Sequence, residues 1–522
     1  MRWAVDSVTM RSIDDRAIAM GIPSLRLMEN AGAAVAQAAS AVADPARQII
    51  VLCGPGNNGG DGFVAARILR ESDHGVKAVL IGSTSRLSGD SGHSLRAAQK
   101  AHVSFEEITT EAGLVALASE IAESGLVVDA LLGTGSHGPP KGMVGKVVHA
   151  LDSISAPILA VDVPTGVDAD TGQTDGPAIH ADTTVTMGLP KIGMLFHPGC
   201  ALVGKLIVAD IGFPHDLVAP PEYGVEILES GDLATLLPKI PSTAHKGDCG
   251  KVLVIAGSTG MTGAAALCCQ GALRAGAGLV YLAIPEHLNA ILETMLPETI
   301  TIPVAEHDGQ HCAAGFERIR ERFGGVDMVV LGPGLGRGTG PAELVASVLQ
   351  SWRGPMVVDA DALFHLSERT ILSEHVVLTP HPGEMAHLTG ETVATVRANC
   401  LRSGQREAAR RNAVLLLKGA PTVVADASGR CAVNLTGNAG LATGGSGDVL
   451  AGIIAGFMAQ GADGYRAAQA GAFVHGLSAD LAAEEMPHAS IIPSDLIRLL
   501  PKALGVAGFG DRAVPAPWWK RQ

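Results

Sequence analysis

The sequence predicts an α/β protein of two domains, each built on a largely parallel sheet. Three observations carry this. The chain has 522 residues, enough for two to four domains at roughly 100 to 200 residues each. Hydrophobic residues make up 47% but aromatics only 3%, with Gly 65 and Pro 29. The apolar content therefore lies in Ala, Val, Leu and Ile, as in strands buried on both faces. Short aliphatic runs ending in Gly or Pro also alternate with Ala-rich amphipathic stretches, the pattern of βαβ units.

In chain order, strands are expected over 48–54, 76–82, 126–133, 157–164, 183–188 and 205–212, with a helix over 62–71 between the first two. Periodicity breaks at 213–224, where Pro214, Pro220 and Pro221 suggest a linker. A second series follows at 250–257, 278–285, 327–334, 355–363, 375–384, 413–420 and 421–426. The expected domains are 1–215 and 225–505. No fixed-period repeat, coiled-coil heptad or low-complexity tract interrupts either.

Fifty-two acidic against 38 basic residues give a net charge of −14, which opposes any sequence-independent grip on nucleic acid or an anionic membrane. Neither partner is expected. The eight cysteines contain no C-x-x-C pair and read as reduced thiols, so a cytoplasmic protein is expected. Asp6, Asp14 and Asp15 occupy the place where a signal peptide needs an apolar core.

The segment 51–69, VLCGPGNNGGDGFVAARIL, reads as a strand, a turn holding Gly54, Gly56, Gly59, Gly60 and Gly62, then a helix. Crowded glycines there bring backbone N–H groups to an anion at a helix N-terminus; the alternative is a sharp βα turn and nothing more. Two further strand ends are polar and Gly-rich: Asp129 with Gly133, Thr134 and Gly135, and Asp162 with Pro164, Thr165 and Gly166. Strand carboxyl ends form the ligand crevice of an open parallel sheet, so the three predict one site. Asp162 is the candidate acid/base, with a turn or cap Asp as the alternative.

ENAG (29–32), NNGGDG (57–62), DALLGTG (129–135) and VDVPTGVDADTG (161–172) resemble the epimerase half of the bifunctional NAD(P)H-hydrate repair enzymes. The resemblance implies a Rossmann-like three-layer fold. It also implies that Asn57, Asn58, Gly59, Gly60, Asp61, Gly133, Thr134, Gly135, Ser136, His137, Gly138, Pro139 and Asp162 bind the hydrated dinucleotide. A potassium ion on Asn58, Asp129 and Thr165 is implied as well; amide, carboxylate and hydroxyl oxygens suit a large hard cation. Thr165 stands where the family often has Ser, which keeps the hydroxyl.

In the second half, NLTGNAGLATGGSGDVLAGIIAGFMAQ (434–460) leads Gly444, Gly445 and Gly447 into an apolar helix with Asp448 in its first turn. Amides there can nest phosphate oxygens. A carboxylate beside them is best explained as a base acting on a substrate hydroxyl, with a simple helix cap as the alternative. With AGSTGMTGAA (256–265), GPGLG (332–336), TPHPGE (379–384) and KGAPT (418–422), this resembles the ribokinase-like, ADP-dependent dehydratase half of the same family. The resemblance implies that Ala264, Gly334, His381 and Asp448 contact the hydrated dinucleotide. It implies that Lys418, Gly419, Ala420, Pro421, Thr422 and Gly447 contact ADP. Ser446 replaces a more frequent Thr.

The activity so implied is metabolite repair: epimerisation of R- and S-NAD(P)HX, then dehydration of the S form with release of AMP and phosphate. NADHX, NADPHX and ADP would be substrates, with potassium at the first site and magnesium at the second. Glu384 is a magnesium candidate, a solvated loop Glu being the alternative. A homo-oligomer is expected. The competing reading is a ribokinase-like small-molecule kinase fused to a nucleotide-binding domain.

Overall fold

The computed structural model describes residues 2–152, 154–218, 224–237, 239 and 243–508; Pro220 and Pro221 of the expected linker lie outside the described residues. The chain divides into two compact units at Val225 and Glu226. The first unit runs past residue 215. Phe213, Leu217 and Val218 fall at helical spacing in the segment read as linker, and all three join its core.

The first unit holds a seven-stranded sheet in the order Ser104–Ile108, Val76–Ile81, Ile49–Cys53, Leu126–Ala130, Ile158–Val161, Thr183–Met187 and Lys205–Ala209. Every pairing is parallel. Strand alternation sends Ile49, Val51 and Cys53 into one core and Ile50 and Leu52 into another. Both faces are thus covered, which makes the unit three-layered. Ser104–Ile108 escaped the sequence reading because it is an edge strand, SFEEI, whose Phe105, Glu106 and Glu107 are only half-buried. From Ile49–Cys53 the chain winds first to one side and then, through Leu126–Ala130, to the other. That reversal opens a crevice between the carboxyl ends of these two strands.

The second unit is larger. Its sheet runs Ile300–Val304, Leu279–Pro285, Lys251–Ile255, Met328–Leu331, Met356–Val358, Val376–Leu378, Val414–Leu417, Thr422–Ala425 and Cys431–Asn434. Pairing is parallel as far as Val414–Leu417 and antiparallel over Thr422–Ala425 and Cys431–Asn434, beyond which Val225–Ile227 pairs in parallel. Pro303 sits in the edge strand, where its missing N–H breaks no inner ladder. The winding reverses between Lys251–Ile255 and Met328–Leu331, giving a second crevice. Helices Thr262–Arg274 and Ser446–Ala459 cross closely above it: a Cβ on Gly452 would lie 2.1 Å from the Cys268 carbonyl oxygen.

Candidate active sites

In the first crevice the helix begins at Asn57, not after Gly62, with Gly56 as its N-cap. Three glycines expected in the turn are therefore helical, and packing explains them. A Cβ on Gly59 would lie 1.9 Å from the Gly54 carbonyl oxygen, on Gly60 2.6 Å from Met28 Cε, and on Gly62 2.6 Å from Ala130 Cβ. They seat the helix against its neighbours. Gly59 and Gly60, expected to contact the ligand, do not line the cavity.

That cavity has a volume of about 700 Å³ and is walled by Asn57, Asn58, Asp61, Gly133, Thr134, Gly135, Ser136 and Asp162. Three strand ends converge, as the sequence predicted. The rest of the 133–139 loop turns away: His137 Nδ1 pairs with Asp168 Oδ2 at 3.3 Å, and Pro139 lies against Gly176. His137, Gly138 and Pro139 are absent from this wall.

Asp162 leaves its strand with φ of +67°, a left-handed conformation that Asp tolerates better than a branched residue. The Thr134 N–H donates to its Oδ2 at 3.2 Å, and Lys191 Nζ donates to its Oδ1 at 2.5 Å. Burial raises the pKa of Asp162, but the Lys191 ammonium and the Thr134 N–H overcome it and hold the carboxyl below the ordinary range. Around it the balance is reversed. Burial and then the charges of Asp162 and Asp14 push Asp61 well above the ordinary range despite Lys191. Burial pushes Asp14 up to about 6, with Lys191 opposing.

Lys191 and Asp14 also line the cavity, and sequence reasoning missed both. The signal for Lys191 was a lone cation inside the apolar run LPKIGMLF; Asp14 was read only as evidence against a signal peptide.

Of the expected potassium trio, Asp129 and Thr165 meet at the same strand ends. The Thr165 N–H and hydroxyl both donate to the buried Asp129, each at 2.8 Å. Burial pushes Asp129 up to about 6 against these bonds. Asn58 Oδ1 lies 3.0 Å from where a Gly133 Cβ would be, and Asn58 Nδ2 is buried without a partner. The Asn58 amide oxygen, the buried Asp129 carboxylate and the Thr165 hydroxyl are oxygen donors of the kind a large monovalent cation takes.

In the second crevice two loops interlock. The Gly257 N–H donates to the Pro333 carbonyl at 2.8 Å, and Ser258 Oγ to the Gly334 carbonyl at 2.8 Å. Ala264 then lies 3.0 Å from the position of a Gly334 Cβ, so these two predicted residues share one wall. His381 caps the helix Pro382–Thr389, its Nδ1 accepting from the N–H groups of Gly383 and Glu384 at 2.9 and 3.1 Å. The ring's other nitrogen, Nε2, carries the proton and lies 3.4 Å from Glu384 Oε1.

Glu384 is not a solvated loop residue. It is buried, accepts from the His381 N–H at 2.8 Å and stands 3.7 Å from Lys418 Nζ.

Lys418 Nζ also donates to Asp359 Oδ1 at 2.9 Å and lies 3.2 Å from the position of a Gly447 Cβ. The predicted nucleotide segment and anion loop therefore meet at this ammonium. Burial lowers the Lys418 pKa, yet Asp359 and Glu384 outweigh it and leave it raised. Asp448 stands in the first turn of Ser446–Ala459; burial and then Asp359 push its pKa up to about 7, with Lys418 opposing. Gly445 enters the helix with φ of +97°, a conformation natural to glycine. A Cβ on Gly444 would meet nothing within 4 Å, so an anion can reach this loop.

Asp359 was missed. It ends the strand Met356–Val358 in VDADAL, the same strand-end carboxylate signal that found Asp129 and Asp162. Among the described residues no group of three or more His, Cys, Asp or Glu is placed to hold a metal ion.

Two polar crevices, each at the reversal point of a parallel sheet and each gathering carboxylates around a lysine, define a two-domain α/β enzyme with two active sites. A family profile described as YjeF-related protein N-terminus matches residues 24–193, and one described as NAD(P)H-hydrate dehydratase matches 252–502. The bifunctional NAD(P)H-hydrate repair enzyme Nnr of Moorella thermoacetica is 40% identical over 493 residues, 92% of this chain and 93% of that protein. Its namesake in Thermofilum pendens is 40% identical over 492 residues, 93% and 92%. Among solved structures, the ADP/ATP-dependent NAD(P)H-hydrate dehydratase of Bacillus subtilis, co-crystallised with ATP and Mg²⁺, is 30% identical; the match covers 54% of this chain and 99% of that one, with a TM-score of 0.48. The chain belongs to the bifunctional NAD(P)H-hydrate repair enzyme family.

Proposed function

We propose that the chain repairs hydrated nicotinamide dinucleotides: the first crevice interconverts R- and S-NAD(P)HX, and the second dehydrates the S form with ADP, yielding NAD(P)H, AMP and phosphate. The observation that carries this reading is a match to enzymes of that name over more than nine-tenths of both chains. Because it spans both halves, the kinase alternative is not favoured. All eight cysteines are unpaired, as a reducing, cytoplasmic setting would leave them. No helix among the described residues is long and apolar enough to cross a membrane.

Inverting the hydroxyl-bearing ring carbon requires water to leave and return, or the ring to open and close; both need an acid and a base. Asp61, whose surroundings favour its neutral form, protonates the departing hydroxyl. Asp162, held ionised, accepts the proton of the returning water. Carboxylates whose environments push their pKa values apart divide these roles naturally. Asn57, Asn58 and the amides of Gly133 to Ser136 orient the ligand. Asn58, Asp129 and Thr165 would hold potassium, which fixes these strand ends and supplies no proton chemistry.

In the second crevice hydroxide is a poor leaving group, so the ring hydroxyl is phosphorylated first. Asp448 accepts its proton, the 444–447 amides and Lys418 stabilise the transferring phosphoryl group, and elimination then restores the ring double bond. Magnesium carried by the nucleotide would offset phosphate charge. Gly419, Ala420, Pro421, Thr422 and Gly447 border the nucleotide; Ala264, Gly334 and His381 border the hydrated ring.

The test uses mixed R and S hydrates with magnesium, potassium and either ADP or ATP, following recovery of nicotinamide absorbance. Wild-type protein should consume both epimers. Asp162→Asn should stall with the R form left, and Asp448→Asn should recover nothing. No consumption with either nucleotide would end this reading.

A further inference from the structure

We propose that Lys191 is a positioning residue for the epimerase chemistry: it anchors Asp162 Oδ1 so that Oδ2 stays aimed at the Gly133–Thr134 loop where the ligand sits. This rests on the epimerase reading of the first crevice.

The argument begins with burial. Lys191 is 1% exposed, and lysines are almost never so buried without a partner. All three of its ammonium hydrogens are committed, to Asp162 Oδ1 at 2.5 Å, Thr186 Oγ1 at 2.9 Å and the Met187 carbonyl at 3.1 Å. An ammonium holds three donors and no acceptor, so none is left for a substrate. Lys191 must act through Asp162.

Its own backbone is clamped. The Val5 N–H donates to the Pro190 carbonyl and the Ile192 N–H to the Val5 carbonyl, each at 3.0 Å, bracketing residue 191. Thr186 Oγ1 touches Asp162 Oδ1 as well, at 3.3 Å. One oxygen of Asp162 is therefore gripped from two sides, and the Thr134 N–H takes the other.

A pair serving the fold alone would be shut inside a core. Lys191 and Asp162 instead form part of the cavity wall. Asp14 from the helix Ser7–Ala19 and Asp61 from Asn57–Glu71 face the same pair, with Asp15 beyond Asp14. Three carboxylates share the field of one cation, so its removal would both free the Asp162 side chain and make its ionisation harder.

The experiment measures interconversion of pure R hydrate without ADP, in the full-length protein with potassium present. Lys191→Met should lower kcat by about a hundredfold or more while KM moves by less than about threefold. Without the ammonium, Asp162 ionises only at higher pH, so the acidic limb of the kcat/KM profile should move up by about one pH unit or more. Thr186→Val removes one anchor and keeps the ion pair. It should shift the same limb in the same direction by less, and it carries the test if Lys191→Met does not fold.

An unshifted limb in the variant that folds, or a kcat within about threefold of wild type for Lys191→Met, overturns the proposal. If the wild-type protein leaves the R to S ratio unchanged, the epimerase reading itself falls, and the role of Lys191 with it.

Discussion

Asp162, buried, and Asp448, half-buried, are both assigned to proton transfer, yet their neighbours tune them in opposite directions. Lys191 holds Asp162 ionised, whereas Asp448 lies among Asp359, Asp361 and Glu384 with Lys418 only partly compensating. If Asp448 is the base, the kcat/KM of dehydration with S hydrate and ADP should rise with pH through about 7. Asp448→Asn should lower it by about a thousandfold above pH 7 and abolish that rise. Stability gives a second check. The folded-state pKa of Asp448, about 7, lies above the ~3.9 of an unfolded Asp. Its stabilising contribution is thus complete below about pH 4 and is lost as pH rises through 7. Asn has no proton to lose, so Asp448→Asn should melt higher than wild type at pH 8, and that advantage should vanish by pH 4.

At the scale of elements, two helices carry separable demands. Asn57–Glu71 approaches its neighbours so closely that a methyl group on Gly59 has no room beside the Gly54 carbonyl. Gly59→Ala should therefore cost about 2 kcal/mol or more. It should lower only the calorimetric transition of the first unit, with epimerase activity lost and ADP-dependent dehydration of pure S hydrate kept. The helix Cys400–Arg411 buries an ion pair of Arg411 Nε and Glu407 Oε1 at 2.5 Å, the arginine 0% and the glutamate 1% exposed. Neither lies in the catalytic cluster. Glu407→Gln leaves a buried guanidinium uncompensated, which should cost about 3 to 5 kcal/mol, read as a lower urea midpoint for the second unit. Element boundaries were only partly legible for the same kind of reason. Glycines read as turn residues proved helical because their role is to admit a neighbouring backbone, and SFEEI was overlooked because an edge strand lacks a continuous apolar run.

At the scale of the whole molecule, two crevices on two compact units make a prediction no single site makes. Asp162→Asn protein mixed with Asp448→Asn protein should consume both epimers completely, since the substrate diffuses between intact sites; failure of the mixture would mean the two steps need one chain. Exchanging potassium for a larger organic cation should slow interconversion of the epimers and leave dehydration of pure S hydrate unchanged. Sequence alone determined the two α/β units and the polar strand ends that converge in the first, because aliphatic runs and Gly-rich strand ends are local signals. Tertiary structure alone decided which loop residues face the cavity: Asn57, Asn58 and Asp61 line it, whereas Gly59, Gly60 and His137 do not. It also brought Lys191, 29 residues along the chain from Asp162, and Lys418, 59 from Asp359, into contact with those carboxylates. Such pairs are invisible to periodicity and motif, since a buried cation is chosen by the charge it meets across the fold, not by its neighbours in sequence.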